Sequence, residues 1–233
     1  MESAEKPIER YQKVIGPYEI AYIVSGRGDS VDVMPNGHLD MVVYDICGSR
    51  VPRIFSKIKG ALKRHYERNE GELSAEHIVS AANAIVCNRM SHRDPDFFLT
   101  AVYLSLADDG NLSFVDAGHG LGCVYRSNGC IDDIFSREET INPPIGVREN
   151  VDYKGFSERL MPGDALLLYT DGISAARNPA GEFFGEAAIR QHLAESHSSN
   201  PMRMAEGLYQ AAKEFAAGRR QDDAAICAIK RLY

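Results

Sequence analysis

Apolar and polar positions alternate along the chain in two rhythms, one repeating every second residue and one every third or fourth. Residues 19–25 (EIAYIVS) and 38–44 (HLDMVVY) are apolar runs bounded by turn-forming residues, Gly26-Arg27-Gly28-Asp29 and Pro35-Asn36-Gly37. They are expected to be strands, paired as an antiparallel hairpin, with Asp45-Ile46-Cys47-Gly48 closing the second. The rhythm then changes. In 51–68, Val51, Ile54, Phe55, Ile58, Leu62 and Tyr66 fall on one helical face, and Arg53, Lys57, Arg64 and Arg68 on the other. A second helix is expected from Ser74, an N-cap, with Leu73 and Ile78 placed as a hydrophobic staple. Its core face would be Ile78, Ala82, Ile85 and Val86.

The next hundred residues return to the shorter period. Segments 98–106, 112–117, 121–125, 131–135, 151–156 and 165–170 read as strands between turn clusters such as Asp108-Asp109-Gly110-Asn111 and Ser127-Asn128-Gly129. Helices are expected near 185–196 and over 201–217, the latter capped by Asn200 with Pro201 in its first position. Met202, Ala205, Leu208, Ala212 and Phe215 would be its core face. The closing run 224–229 is a strand. Strands, two helices, many strands, two helices and a final strand make an α+β pattern with antiparallel sheets, not βαβ alternation. Residues 1–16 are polar and weakly patterned, a lead-in to one domain over 17–233; no linker rich in Pro, Gly or Ser divides it.

Composition narrows the function. The formal net charge of −7 opposes a nucleic-acid or membrane-surface protein. Neither a signal peptide nor a bilayer-length apolar run is visible, and the five cysteines lack CxxC spacing. Reduced thiols and a cytoplasmic location are the expectation.

The acidity has a pattern of its own. Asp29, Asp45, Asp171 and Asp222 each sit at or beside the end of an expected strand. Any one of them reads equally as an ordinary turn aspartate, Asp171-Gly172 above all. Four together suggest carboxylates gathered around cations, and oxygen donors without a His or Cys cluster favour Mg²⁺ or Mn²⁺ over zinc.

Gly28-Asp29-Ser30-Val31-Asp32, Tyr44-Asp45-Ile46-Cys47-Gly48, Asp116-Ala117-Gly118-His119, Thr170-Asp171-Gly172-Ile173 and Asp222-Asp223-Ala224-Ala225 resemble the successive motifs of the PPM (type-2C) phosphatases. The bacterial branch typified by SpoIIE and RsbU is the nearest match, most densely over 161–185 (MPGDALLLYTDGISAARNPAGEFFG). The resemblance runs from about Tyr18 to Ile229. It implies a sandwich of two antiparallel sheets flanked by helix pairs, and a serine/threonine protein phosphatase with two divalent ions, Mn²⁺ or Mg²⁺. Such ions generate a bridging hydroxide near neutral pH and balance phosphoryl charge during in-line displacement. By motif, Asp45 would bridge the metals and the Ile46 carbonyl would ligate one. Asp171 and Asp222 would complete the other, and Asp29 would hold metal-bound water or a further ion. Asp45, Asp171 and Asp222 would thus be the catalytic set. Asp32 and Asp223 fit turn geometry or supporting hydrogen bonds, and His119 fits a structural turn better than a general acid. The implied substrate is a phosphoprotein, commonly an anti-sigma-factor antagonist. Many relatives carry a sensor or receiver domain for which this sequence has no room, so control is expected from another protein or a homodimer.

One departure stands out. After Cys47-Gly48-Ser49 the sequence has Arg50 where the family usually has Gly, and Arg53 and Ile54 where small residues open the helix. Arg50 and Arg53 are candidate contacts to substrate phosphate. Cys47 to Arg53 also spells Cys-x5-Arg, the loop of cysteine-dependent phosphatases, in which a thiolate attacks phosphorus. The strand order and Ile46 in place of His oppose that alternative. A second alternative is a non-catalytic phosphoprotein-binding regulator on the same fold. The basic ladder on 51–68 reads as a solvated face or a dock for an acidic partner.

Overall fold

Among the residues the computed structural model describes (7–26, 28–35, 39–47, 74–90, 97–219 and 222–233), twelve strands and four α-helices form two compact units. Each unit is assembled from separated stretches of chain. The first takes Met1–Val31, Leu121–Asp133 and Leu160–Tyr233, and the second Asp32–Gly120 and Ile134–Arg159. The α+β class read from the sequence therefore holds. The expected helix over 51–68, and with it Arg50, Arg53 and the basic ladder, lies outside the described residues.

The first unit is built on a six-stranded sheet. Its strands are β1 (Ile8–Ile15), β2 (Tyr18–Ser25), β7 (Gly122–Tyr125), β8 (Ile131–Asp132), β11 (Ala165–Tyr169) and β12 (Ala224–Arg231), in the order β1-β2-β12-β11-β7-β8. Strand β12 runs antiparallel to both neighbours, pairing Ser25 with Ala224 on one side and Tyr169 with Ile226 on the other. Every residue of β11 is buried, as its unbroken ALLLY run requires. Helices α3 (Gly185–Ser196) and α4 (Pro201–Phe215) cover this sheet, setting Ile189, Leu193, Met204, Leu208 and Ala212 against Ile23, Leu167 and Ile226. The Asn200 side chain accepts from the Arg203 amide at 2.9 Å, and Pro201 occupies the first turn, where its missing N–H costs nothing.

The second unit holds β3 (Ser30–Pro35), β4 (Leu39–Cys47), β5 (Phe98–Leu106), β6 (Asn111–Ala117), β9 (Ile141–Asn142) and β10 (Phe156–Arg159). Their order is β10-β6-β5-β4-β3, with the short β9 parallel to β6. Helix α1 (Ala75–Met90) lays Ile78, Val79, Ala82 and Val86 against Tyr44, Ile46, Tyr103 and Val115. Ser74 caps it, accepting from the His77 amide at 3.4 Å.

Four sequence expectations give way. Residues 8–15 are not a loose lead-in: β1 pairs along its full length with β2, and Tyr11 stacks on Tyr22 at 4.8 Å. Its faces escaped notice because an edge strand has little to bury. The 19–25 and 38–44 runs are not a hairpin; β2 joins β1 and β12, β4 joins β5 and β3, and the unforeseen β3 lies between them in sequence. Over 131–135 only two residues pair as a strand. Phe135 is buried by edge-on packing against Phe114, which imitates a strand's apolar pattern. Over 151–156 the alternation is real, with Val151 and Tyr153 buried, but only Phe156 pairs as a strand, at the start of β10. The Asn142 side chain bonds Lys154 instead, accepting from the Lys154 amide at 2.8 Å and donating to the Lys154 carbonyl at 3.1 Å.

Candidate active site

Antiparallel pairing of β12 with β2 and β11 puts the ends of those two strands beside the start of β12. Asp171 follows β11 and Asp222 precedes β12 by two residues each, so that register sets them at the same end of the first sheet, and a hydrogen bond from Thr170 ties Asp29 to it. Thr170, wholly buried, joins the three segments. Its hydroxyl donates to Asp29 Oδ2 at 2.5 Å and accepts from the Ala225 amide at 2.8 Å, while its own amide donates to the Ala225 carbonyl at 3.0 Å. Asp29 is 4% exposed, so this donor stabilises a carboxylate that burial would otherwise penalise.

Close backbone approach fixes the rest of the edge. A Cβ on Gly172 would lie 1.9 Å from the Asp223 carbonyl oxygen, and one on Gly26, at φ 113°, 2.2 Å from the Asp223 carboxylate. Only glycine admits both the space and the second conformation. Asp223 turns inward to accept from the Gly28 amide at 2.8 Å. Its neighbour Asp222 stays exposed, one oxygen accepting from the Asp223 amide at 2.9 Å. Asp171 is exposed at the first turn of α2 (Asp171–Ser174).

Asp45 and Ile46 belong to the second unit. Asp45 is inside β4, opposite Thr100, and is half-buried; Ile46 faces Leu99 across the ladder and is buried. The strand thus runs past the point where the sequence pattern suggested it closes. Thr100 Oγ1 lies 3.4 Å from His119 Nδ1. The turn carrying His119 hangs on Asp116, whose two oxygens accept from the His119 amide at 2.7 Å and the Gly120 amide at 2.8 Å. Burial of Asp116 pushes its carboxyl up to about 6 against the pull of those amides. Asp32, also in this unit, accepts from the Tyr44 hydroxyl at 3.4 Å. Cys47 ends β4 and is half-buried; its proposed companion Arg53 lies outside the described residues.

Among the described residues no three His, Cys, Asp or Glu side chains stand together as a ready-made metal cluster. The donors at the first sheet's edge nonetheless suit a hard cation: oxygen only, two of the carboxylates open to solvent, and backbones held by glycines that leave no room for a side chain. Sequence reasoning missed Thr170, taking it as the last residue of a strand. Its signal was a lone hydroxyl between an apolar run and an aspartate. Also unread was a pocket of about 360 Å³ beside Asp222, lined by Gly172, Ala175, Ala176, Arg177, Phe183 and Arg219.

Known proteins share this fold. The family described as Stage II sporulation protein E (SpoIIE) matches residues 35–232. Protein IcfG of Synechocystis is 28% identical over 208 residues, covering 78% of this chain, and phosphoserine phosphatase RsbU of Bacillus subtilis is 24% identical over 197 residues, covering 83%. The chain spans only 31% and 56% of their respective lengths. The SpoIIE phosphatase domain of Bacillus subtilis superposes with a TM-score of 0.72 at 17% identity, over 97% of this chain and 72% of that one. The SiaA PP2C domain of Pseudomonas aeruginosa gives 0.70 at 17%, over 97% and 86%. The catalytic domain of the phosphatase PstP, solved with two manganese ions, gives 0.64 at 16%, over 97% of each chain. The fold is that of PP2C phosphatases, and with the family match extending from residue 35 to residue 232 this chain belongs to the SpoIIE family.

Proposed function

We propose that this chain is a metal-dependent protein serine/threonine phosphatase whose domain includes β1 as well as residues 17–233. The observation that supports the reading is the end of the first sheet where Thr170 binds Asp29 and glycines pack against Asp223 beside Asp171 and Asp222, in a chain of the SpoIIE family. Family membership alone would leave a degenerate binding module open. Such a module has no need of exposed carboxylates on a glycine-packed edge.

Asp45, Asp171 and Asp222 are the proposed catalytic residues, with Asp29 and the Ile46 carbonyl completing the donor set. Two divalent cations, Mn²⁺ or Mg²⁺, would supply a nucleophile at neutral pH and neutralise phosphoryl charge. The chain's own part is to present oxygens at fixed positions. Thr170 holds Asp29 in one orientation, and Asp223 secures the backbone from which Asp222 projects. The manganese ions of PstP support the cofactor reading, and the name of RsbU, a phosphoserine phosphatase, supports the reaction.

The substrate is proposed to be a phosphorylated signalling protein such as an anti-sigma-factor antagonist, with Arg50 and Arg53 as contacts to its phosphate. A cytoplasmic site of action and control by a partner or by homodimer formation complete the proposal. No helix among the described residues is long and apolar enough to cross a membrane. The test is phosphate release from an aryl phosphate and a phosphothreonine peptide with Mn²⁺, Mg²⁺ or EDTA, for wild type and Asp171→Asn. Turnover should require metal and vanish in the variant. Metal-independent turnover that Cys47→Ser abolishes would replace the reading with thiolate chemistry.

A further inference from the structure

The pocket beside Asp222 has an unexpected charge for so acidic a chain. Arg177 and Arg219 both line it, and neither pairs with a carboxylate among the described residues. Arg177 lies 3.9 Å over the Phe183 ring and donates to the Gly181 carbonyl at 3.3 Å; Arg219 donates to the Pro179 carbonyl at 2.8 Å. Among the described residues both guanidiniums are thus aimed by neutral groups. Asp222 offsets one charge, leaving a net positive pocket in a chain of net charge −7.

The wall that carries Arg177 is rigid. Phe184 packs edge-on against Phe215 at 5.5 Å, anchoring the loop in the core, while the adjacent Phe183 remains 54% exposed. The Asn178 side chain accepts from the Glu182 amide at 3.0 Å and donates to its carboxylate at 2.7 Å, closing the turn. An exposed aromatic beside paired arginines over an alanine floor is the composition of a protein-contact hot spot. At about 360 Å³ the pocket suits one or two side chains.

We infer that this pocket receives an acidic side chain of the substrate protein flanking the phosphorylated residue, with Arg177 and Arg219 forking its carboxylate and Phe183 covering its stem. The inference rests on the phosphatase reading for its substrate, since the pocket shares Asp222 and Gly172 with the proposed active site. It assigns selectivity to residues that the aspartate motifs do not include.

Phosphoserine peptides flanked on both sides by Glu, or by Gln, separate the two readings. Binding is followed by fluorescence anisotropy in EDTA, and kcat/KM is measured with Mn²⁺. Wild type should bind the Glu peptide about tenfold more tightly than the Gln peptide, a preference that salt weakens. Arg219→Gln and Arg177→Gln should bring that ratio close to one, whereas the charge-keeping Arg219→Lys should restore part of it. Equal binding of both peptides by wild type, or a ratio unmoved in both glutamine variants, would overturn the inference. An intact preference in a protein that never turns over aryl phosphate would sink the phosphatase reading and leave the pocket standing. Turnover without preference would do the reverse.

Discussion

Replacing Thr170 by Val keeps the shape and removes one hydroxyl. That hydroxyl has a single proton, and the 2.5 Å contact to Asp29 takes it in preference to the Ala225 carbonyl at 3.5 Å. Two buried groups lose a hydrogen bond together, the Asp29 carboxylate and the Ala225 amide. A lost hydrogen bond costs about 1 kcal/mol between neutral groups and about 2–3 kcal/mol to a charged one, so the pair should cost roughly 4 kcal/mol. For a domain of this size that lowers Tm by roughly 10 °C. The chain has no tryptophan and 11 tyrosines, so urea unfolding is best followed by far-ultraviolet circular dichroism with tyrosine emission as a second probe. Thr170→Ser keeps both hydrogen bonds and loses only a methyl group, worth about 1 kcal/mol. A Val variant within 0.5 kcal/mol of wild type would refute the reasoning, as would a Ser variant as unstable as the Val one; each margin is about the scatter of neutral surface changes.

Gly172→Ala should cost about 1–3 kcal/mol and depress turnover more than stability, because the Asp223 backbone beside Asp222 must move to admit the methyl group; urea midpoints beside kcat would show it. Asp116 holds its proton more tightly folded, at about 6, than unfolded, at about 4, so its contribution is greatest below pH 4 and declines as pH rises through 6. On the order of 3 kcal/mol is lost over that interval, and Asp116→Asn should remove this slope from a plot of unfolding free energy against pH. Asn142→Ala leaves the Lys154 amide and the Asp116 carbonyl without their partner, at a cost of about 3 kcal/mol. Hydrogen exchange at Lys154 should accelerate, and an unchanged rate would mean that this segment is held by something else.

The α+β order was legible because burial and period agree wherever a strand is central: β5, β11 and β12 stand where their apolar runs placed them, give or take a residue or two. Helices α3 and α4 were equally plain, one from periodicity and one from its Asn200-Pro201 start. Legibility failed where burial and pairing separate. Ile8 to Ile15 pairs without burying much, while Phe135 and Tyr153 are buried without pairing in a strand. Sheet membership was also hidden, because β2 and β4 look alike in sequence and only long-range pairing assigns them to different sheets. At the candidate site the aspartates announced themselves by sitting beside apolar runs. Thr170, Arg177 and Arg219 did not, since their roles depend on which segments lie adjacent in space.

Strand β12 lies between β2 and β11, pairing Tyr18 with Arg231. During synthesis, therefore, the first sheet lacks its middle until residues 224–231 have emerged. At about 5–20 residues per second, β1 and β2 wait roughly ten seconds or more with an apolar edge unpaired. Closing so long a loop also adds a slow step to folding. A ribosome stalled before residue 224 would hold a chain rich in strands yet unable to form the contacts between Thr170 and Ala225. The complete sheet should then appear abruptly once residue 231 is free of the ribosome, and chaperone dependence should be concentrated in the interval before that.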